Sequence, residues 1–247
     1  MTRKDLLENA KPILFNTEMV KAILGGRKTV TRRLVRPQPV ANVKTLYRKG
    51  DTDVWRSHGA DWWYEFKAPC VPGNILWVRE TWTREGKNYF YRADFESDYL
   101  DPCETLSGGY PAECRYYPGC EGCMRERQRI CWRPSIHMPK EAARLFLQVT
   151  QVRVERVQDI TEKQAVSEGL EPVLCSNCDG YGCSDCVGSG CREPALVGFY
   201  DVWNSTIKPA DRALYGWDAN PWVWVISFER MYSDEDRRKT NDQERDL

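Results

Sequence analysis

Apolar positions recur along the chain with the period of β-strands in several separate stretches, and short apolar runs mark others. The predicted strands cover residues 12–15, 28–35, 74–82, 89–93, 143–160 and 222–231. The predicted helices are short and cover residues 17–24, 161–168 and 194–207. No strand–helix–strand unit repeats, so the pattern predicts an α+β fold built round a small mixed or antiparallel β-barrel.

The composition is that of a folded protein. Of the 247 residues, 41% are apolar and ten are tryptophans, which excludes a disordered chain. No apolar run approaches the roughly 18–20 residues that span a bilayer, and the first residues lack the apolar core of a signal peptide. We therefore expect a cytoplasmic protein without a membrane partner.

The charges balance over the whole chain, with 36 Lys and Arg against 36 Asp and Glu. This balance argues against a uniformly basic nucleic-acid-binding domain. The distribution is uneven, because basic residues far outnumber acidic ones in residues 1–50. Several cations lie in the predicted strand 28–35, so we expect a local positive patch on one face of the sheet.

Eleven cysteines in a reducing compartment favour bound metal over disulfides. The pattern C-x-x-C-x-G-x-G occurs twice in tandem over residues 175–190 and is similar to half of the zinc-binding region of DnaJ-type chaperones. Two such pairs supply the four thiolates of a tetrahedral Zn²⁺ site, here Cys175, Cys178, Cys183 and Cys186. Four thiolates leave zinc no open position for water, so we expect a structural role; free thiols or a redox pair are the alternative.

A second group of cysteines lies in the polar stretch 95–131, which has too few apolar residues to fold on its own contacts. A second structural zinc would explain how this stretch is ordered. Its expected ligands are Cys114, Cys120 and Cys123, with either Cys103 or Cys131 as the fourth.

Residues 25–33, GGRKTVTRR, join the end of a predicted helix to the start of a predicted strand. Gly26, Lys28, Thr31 and Arg33 have the arrangement G-x-K-x-x-T-x-R, which resembles the marker of the ASCH family, a PUA-like β-barrel superfamily associated with RNA. The turn and strand PGNILWV at 72–78 and the strand WVISFE at 224–229 also match this family. Long relatives of this kind occur in phages and prophages.

The resemblance implies a domain organisation as well as a fold. It covers about residues 12–36, 73–94, 132–170 and 195–230, which implies one PUA-like domain over 1–232 with short flanking helices. Insertions are then expected at about 40–72, 95–131 and 171–193, the last two stabilised by zinc. Residues 233–247 form a charged tail that we expect to be disordered.

The resemblance also implies a chemistry. Small bacterial members of the family include N4-acetylcytidine amidohydrolases, whose catalytic Lys, Thr and Glu correspond to Lys28, Thr31 and Glu168 here. A threonine hydroxyl is a poor nucleophile unless a base takes its proton, and a lysine with a lowered pKa can do so. Residues three apart in a strand face opposite sides, so Lys28 and Thr31 converge only if Lys28 lies in the turn before the strand.

Other polar residues are expected to line the same pocket and to bind substrate or nucleic acid. They are Arg27, Arg32, Arg33, Arg79, Glu80 and Arg133. Arg79 and Glu80 are adjacent, and two interpretations are open: an ion pair that lines the pocket, or a structural role. Trp55, Trp62 and Trp63 are read either as platforms for bases or as core residues.

Two functional hypotheses follow. In the first, the pocket recognises RNA or a modified nucleoside and hydrolyses an N4-acylated cytidine, with Lys28 as base, Thr31 as nucleophile and Glu168 as proton shuttle. In the second, the chain is a non-catalytic RNA-binding module, or a phage module that binds a protein partner through its zinc knuckles. Fold-level kinship does not decide between them.

Overall fold

The computed structural model describes residues 1–39, 47–48, 54–58, 63–100, 106, 128–171, 173–174, 192–193 and 195–232. The helices in these ranges are α1 (Arg3–Asn9), α2 (Thr17–Leu24), α3 (Glu162–Ser167), α4 (Ala195–Thr206) and α5 (Arg212–Tyr215). The first seven strands are β1 (Lys11–Leu14), β2 (Val30–Leu34), β3 (Tyr47–Arg48), β4 (Val54–His58), β5 (Trp63–Lys67), β6 (Ile75–Arg79) and β7 (Trp82–Glu85). The others are β8 (Asn88–Tyr91), β9 (Tyr99–Leu100), β10 (Gln128–Arg129), β11 (Phe146–Arg156), β12 (Val173–Leu174), β13 (Arg192–Glu193) and β14 (Trp222–Met231).

A five-stranded mixed sheet is the centre of the fold. Its strand order is β1-β6-β11-β14-β2, with β1 parallel to β6 and the other neighbours antiparallel. Smaller ribbons of β3-β4-β5, β7-β8, β9-β10 and β12-β13 lie around it. This arrangement confirms the predicted α+β class in its general form.

The backbone ladders of the main sheet leave it open, with β1 and β2 at its two edges. A side chain nevertheless joins these edges, because Arg33 Nη2 of β2 donates to the Leu14 carbonyl oxygen of β1 at 2.6 Å. Residues of both edge strands also line one shared cavity. The sheet is therefore curled so that its two edges approach each other.

The main sheet is buried on both faces along β14, whose first five residues are all buried. Successive side chains of a strand point to opposite faces, so Trp224 and Ile226 pack into one apolar cluster with Phe15 and Val20. Val223 and Val225 face the other way and pack against α4, through residues that include Phe199 and Trp203. Because β14 is buried on both faces, its first five residues are all apolar and do not alternate with polar ones.

Most of the predicted elements are present, with shifted ends. Helix 17–24 and strand 222–231 have the predicted bounds, and Asn16 caps that helix by accepting a hydrogen bond from Met19 N at 2.8 Å. The predicted strand 74–82 is wrong as one element, because it is interrupted after Arg79 and resumes at Trp82. The predicted strand 143–160 is shorter, covering Phe146–Arg156.

The stretch 40–72, predicted as an insertion, contributes to the core where it is described. Phe66, Ala68 and Cys70 are buried in the main apolar cluster, and Trp55 makes an edge contact with Trp224 at 5.8 Å between ring centroids. The core interpretation of Trp55 is therefore the one its packing supports. In the described parts of the chain, no helix has the length and apolar character needed to cross a membrane.

Candidate functional site

The turn between α2 and β2 places Lys28 outside the strand. Gly26 adopts a positive φ of 71°, a conformation that glycine takes without steric cost. The amides of Arg27 and Lys28 then both donate to the Ala22 carbonyl oxygen, at 2.9 and 3.0 Å. Lys28 forms an isolated antiparallel bridge with Glu168, and β2 begins only at Val30. The geometric condition for bringing Lys28 and Thr31 together is thus met.

Glu168 reaches the site from the C-terminal end of α3. Thr161 begins this helix with a reciprocal capping pair to Gln164, and Glu168 ends it. The next residue, Gly169, has a φ of 93°, and a Cβ there would lie 2.7 Å from the Ala22 Cβ and 3.0 Å from the Lys28 Cβ. Only glycine permits this close approach of α3 to the turn after α2.

The Glu168 carboxylate binds two cations, one on each oxygen. Lys28 Nζ donates to Oε2 at 2.6 Å and to the Glu168 carbonyl oxygen at 2.9 Å. Arg32 Nη1 donates to Oε1 at 3.0 Å. The three side chains are almost fully buried, with exposed fractions of 0% for Lys28, 1% for Arg32 and 6% for Glu168. A buried charge is stable only with such partners.

Burial lowers the pKa of Lys28, because desolvation penalises the charged ammonium group. The carboxylate of Glu168 opposes this shift, and the charges of Arg33 and Arg32 add to it. The net direction is downward. A lysine in this environment releases its proton more readily than a lysine in water, which is the property that a general base requires.

A cavity of about 140 Å³ opens beside this cluster. Its polar lining includes Lys28, Thr31, Arg32, Arg33 and Glu168. Its apolar lining includes Met19, Leu170, Phe199, Val202 and Trp203. A cavity of roughly 150 Å³ is large enough to hold a benzene ring, so this one has room for a single planar ring among convergent polar groups.

Helix α4 forms the apolar wall of the cavity. Glu162 of α3 accepts hydrogen bonds from the amides of Ala195 and Leu196 at the start of α4, at 2.7 and 3.1 Å, which fixes the two helices together. The guanidinium carbon of Arg32 lies 5.7 Å from the Phe199 ring centroid. The helical spacing of Phe199, Val202, Trp203 and Thr206 predicts one buried face, but the sequence does not indicate that this face closes a polar site.

The predicted substrate-binding arginines separate into two groups. Arg32 and Arg33 line the cavity. Arg27 is exposed and pairs with Glu171, with 2.7 Å between Nη1 and Oε1. Arg133 is exposed and lies over the Trp82 ring, 5.1 Å from its centroid, so neither Arg27 nor Arg133 lines this cavity.

Glu80 belongs to a different cluster, and of the two interpretations of Arg79 and Glu80, the ion pair in the pocket does not form. Glu80 is buried, and Arg144 binds both of its oxygens at 2.9 and 2.8 Å. Arg144 also pairs with Asp94 at 2.7 Å. Burial raises the pKa of Glu80, and the hydrogen bonds from Arg144 oppose that rise. Arg79 instead donates to the carbonyl oxygen of Ile136.

Two contributors to the site were missed in the sequence. Glu155 lies 3.4 Å from Arg32 Nη2 and gives this guanidinium a second carboxylate, and Asn16, the N-cap of α2, lines the cavity. Glu155 comes from the C-terminal end of β11, 123 residues from Arg32. No local pattern in the sequence could have connected them.

The predicted zinc ligands lie almost entirely outside the described residues. This holds for Cys175, Cys178, Cys183 and Cys186, and for Cys103, Cys114, Cys120 and Cys123. Cys131 is described and is an exposed free thiol. Within the described ranges, no group of three or more His, Cys, Asp or Glu residues is arranged to hold a metal ion, so both zinc sites stay predictions.

No protein-family model, no curated protein and no solved structure matches the chain. The functional interpretation therefore depends on the geometry of the cavity and on the resemblance of residues 26–33 to the ASCH motif. Three of the four motif residues, Lys28, Thr31 and Arg33, line the cavity, and the fourth, Gly26, forms the turn that precedes them.

Proposed function

We propose that this chain is an ASCH-type amidohydrolase that removes the acyl group from an N4-acylated cytidine. The observation that carries the proposal is the buried contact of 2.6 Å between Lys28 and Glu168, beside Thr31 in one small cavity. The cavity has room for one planar ring, and its polar groups converge from α3, β2 and the turn after α2. A cytosine base fits this description.

The placement of the arginines favours binding of a small ligand in the cavity over binding of a nucleic-acid phosphate backbone along β2. Phosphate contacts along a nucleic acid require accessible cations. Arg32 is buried against Glu168 and Phe199, and Arg33 is half-buried. The positive charge of β2 is therefore directed mainly into the cavity and does not form an exposed row.

The chemistry follows from these groups. Lys28 accepts the proton of the Thr31 hydroxyl as Oγ1 attacks the acyl carbonyl carbon, and the carbonyl electron pair moves to oxygen. The tetrahedral intermediate collapses, the bond from carbon to N4 breaks, and Lys28 protonates the departing amine, with Glu168 relaying protons. Water then attacks the Thr31 ester, Lys28 takes its proton, and the carboxylic acid leaves while Thr31 regains its hydroxyl proton.

Arg32 acts in this scheme as a positioning residue. While Lys28 carries no charge, the Glu168 carboxylate still has the Arg32 guanidinium at 3.0 Å. The buried carboxylate is thus never without a cation. This arrangement permits the charge of Lys28 to change while the buried carboxylate keeps one cationic partner.

The test is the release of cytidine from N4-acetylcytidine by the full-length protein. Wild-type protein should turn over, and Lys28→Met and Thr31→Val should lose activity by roughly 10²–10⁴-fold. Thr29→Val is the matched control, because Thr29 is exposed and does not line the cavity. Thermal unfolding of each variant checks that it is folded.

Three outcomes count against the proposal in different ways. Absence of turnover by folded wild-type protein contradicts the enzyme, and binding of the nucleoside without turnover favours the non-catalytic reader. Full activity in Thr31→Val excludes Thr31 as the nucleophile. Full activity in Lys28→Met excludes Lys28 as the base.

We extend the proposal to the fold and infer that the main sheet is the PUA-like barrel of the ASCH family. Support comes from the hydrogen bond of 2.6 Å from Arg33 to Leu14, which crosses the gap between the two edge strands. The mixed strand order, with the only parallel pair of this sheet at β1 and β6, is the second support. An experimental structure that left β1 and β2 far apart would contradict the inference.

A further inference from the structure

A second cavity adjoins the functional cavity, and the proposed chemistry makes no use of it. Its volume is about 320 Å³, and it shares four lining residues with the functional cavity: Asn16, Met19, Arg33 and Thr206. The proposed reacting residues line the functional cavity and not the second one: Lys28, Thr31 and Glu168. The second cavity is therefore placed to hold a part of the ligand that does not react.

The second cavity has polar walls that carry little charge. Its lining includes the hydroxyl-bearing residues Thr81 and Ser135, and Arg33 is the one charged residue in the described lining. Within the described parts of the chain, neither of these two hydroxyls has a hydrogen-bond partner. Phe15 and Pro134 supply apolar surface in the same cavity. Uncommitted hydroxyls beside apolar surface suit a ligand that has both hydroxyl groups and C–H faces, which is the chemistry of a sugar.

Asn16 lies at the boundary between the two cavities, since it lines both. Its Oδ1 accepts the hydrogen bond from Met19 N that caps α2, at 2.8 Å. A carboxamide accepts a backbone N–H only through its oxygen, so this contact identifies the other end of the side chain as the nitrogen. Among the described residues, Nδ2 donates to no protein group. A donor held at this boundary is available to a ligand that extends from one cavity into the other.

The ring of the proposed substrate directs its sugar away from the reacting groups. Hydrolysis requires the acyl group on N4 to lie beside Thr31, which lines the functional cavity. In cytosine, C4 and N1 are at opposite corners of the ring, so the sugar on N1 leaves the ring on the side away from Thr31. The functional cavity, of about 140 Å³, has room for about one planar ring. The sugar then lies outside it, and the adjoining second cavity has the volume and the polar groups to receive it.

We propose that the second cavity binds the ribose of the substrate, with Asn16 Nδ2 and the hydroxyls of Thr81 and Ser135 as its hydrogen-bond partners. The identity of the base rests on the proposed function, whereas the sugar site rests on the second cavity and its uncommitted polar groups. The substrate class is thereby a nucleoside. The free base N4-acetylcytosine leaves these three groups without a partner from the ligand.

The experiment compares kcat/KM of the full-length protein for N4-acetylcytidine and for N4-acetylcytosine. One neutral hydrogen bond is worth about two- to tenfold in affinity, so several should favour the nucleoside by about tenfold or more. Because the sugar does not react, the difference should appear in KM and not in kcat. Calorimetric titration with cytidine and with cytosine measures the same preference without any hydrolysis.

Variants assign the preference to the proposed residues. Thr81→Val and Ser135→Ala should each lower kcat/KM for the nucleoside by about two- to tenfold and leave kcat/KM for the free base unchanged. Asn16→Ser should show the same split, because serine is an equally good N-cap but withdraws the amide. Thr29→Val is the matched control for Thr81→Val: Thr29 is exposed and lines neither cavity, so its variant should retain the full preference.

Equal kcat/KM for the nucleoside and the free base, together with equal affinity for cytidine and cytosine, overturns the proposal. A preference that survives in all three variants overturns the assignment to these residues, as does a loss that is equal for both substrates, which a purely structural role would produce. Tighter binding of cytidine than of cytosine without hydrolysis of either acetylated compound keeps the sugar site and contradicts the proposed function. Hydrolysis of both compounds without preference does the reverse.

Discussion

At the scale of single residues, the site depends on how three buried charges are shared. Glu168 carries one negative charge between Lys28 and Arg32, and Glu155 supplies a second carboxylate to Arg32 at 3.4 Å. The resemblance to the ASCH motif indicated Lys28 and Glu168, although 140 residues separate them. It did not indicate Arg32, which is a positioning residue in the proposed mechanism and was expected to bind substrate or nucleic acid.

Removing the shared carboxylate should destabilise the fold. Glu168→Gln leaves Lys28 and Arg32 buried without their common partner, and breaking a buried pair in this way costs roughly 3–5 kcal/mol. Glu171→Gln is the control, because the pair of Arg27 and Glu171 is exposed, at 45% and 66%, and should contribute less than about 1 kcal/mol. Urea unfolding at neutral pH measures both, and equal small losses would contradict the account.

The pH dependence of turnover reports the ionisation of Lys28. Because burial lowers its pKa below the ordinary 10.5, kcat should rise with pH through a pKa below that value, as the neutral amine forms. Glu168 raises the pKa of Lys28, so the residual activity of Glu168→Gln should show this inflection at lower pH than the wild type. A profile that shows no rise at any pH below 10.5 would exclude Lys28 as the base.

The buried Glu80 provides a second test of charge pairing, away from the site. Arg144→Met removes the cation that holds the carboxylate, so the pKa of Glu80, already raised by burial, rises further. A folded-state pKa above the unfolded value means that stability falls as pH rises through that window. The variant should lose roughly 3–5 kcal/mol at neutral pH and less at mildly acidic pH, measured by urea unfolding. A loss independent of pH would contradict this account.

At the scale of elements, the periodicity of apolar positions predicted which segments form helices and strands more accurately than it predicted where those elements end. The cap at Asn16 and the apolar stripe after it made α2 predictable. Lys28 and Thr29 were predicted as the start of the strand 28–35, whereas the bridge to Glu168 holds Lys28 outside β2. That bridge depends on the end of α3, far along the chain. The local strand propensity of residues 28 and 29 therefore could not predict it.

Gly169 lies where the end of α3 approaches the turn after α2, and its replacement should move α3 away from that turn. Gly169→Ala combines a positive φ of 93° with a Cβ 2.7 Å from that of Ala22, so it should lose more than about 1 kcal/mol and displace Glu168 from Lys28. Gly73→Ala has a similar φ of 88° but nothing within 4 Å. The control should lose stability without losing hydrolysis of N4-acetylcytidine, whereas Gly169→Ala should lose both; equal activities would contradict the account.

At the scale of the whole molecule, the cysteine-rich stretches are attached to the domain by narrow paired ends. The strands β9 and β10 pair on either side of residues 101–127, and β12 and β13 pair on either side of 175–191. Each stretch therefore leaves and re-enters the domain at one place, as an insertion does. The tandem spacing of the cysteines in 175–190 predicted zinc in that stretch without reference to the rest of the fold.

Metal analysis of the purified protein tests the zinc predictions. We expect at least one zinc per chain, and two if both cysteine groups bind the metal. Replacing Cys178 with serine should remove one equivalent, whereas Cys70→Ala should remove none, because Cys70 is buried in the apolar core and its thiol pKa is raised to about 11. Fewer than one zinc per chain would contradict both predictions.

The most direct test of the central claim is a single-turnover measurement with N4-acetylcytidine labelled in its acetyl group. The account predicts that cytidine is released as the label is transferred to the protein at Thr31, and that Thr31→Val neither releases cytidine nor takes up label. Thr29→Val should behave as the wild type, since its side chain is exposed and lies outside the cavity. Release of cytidine by Thr31→Val at the wild-type rate would contradict the account.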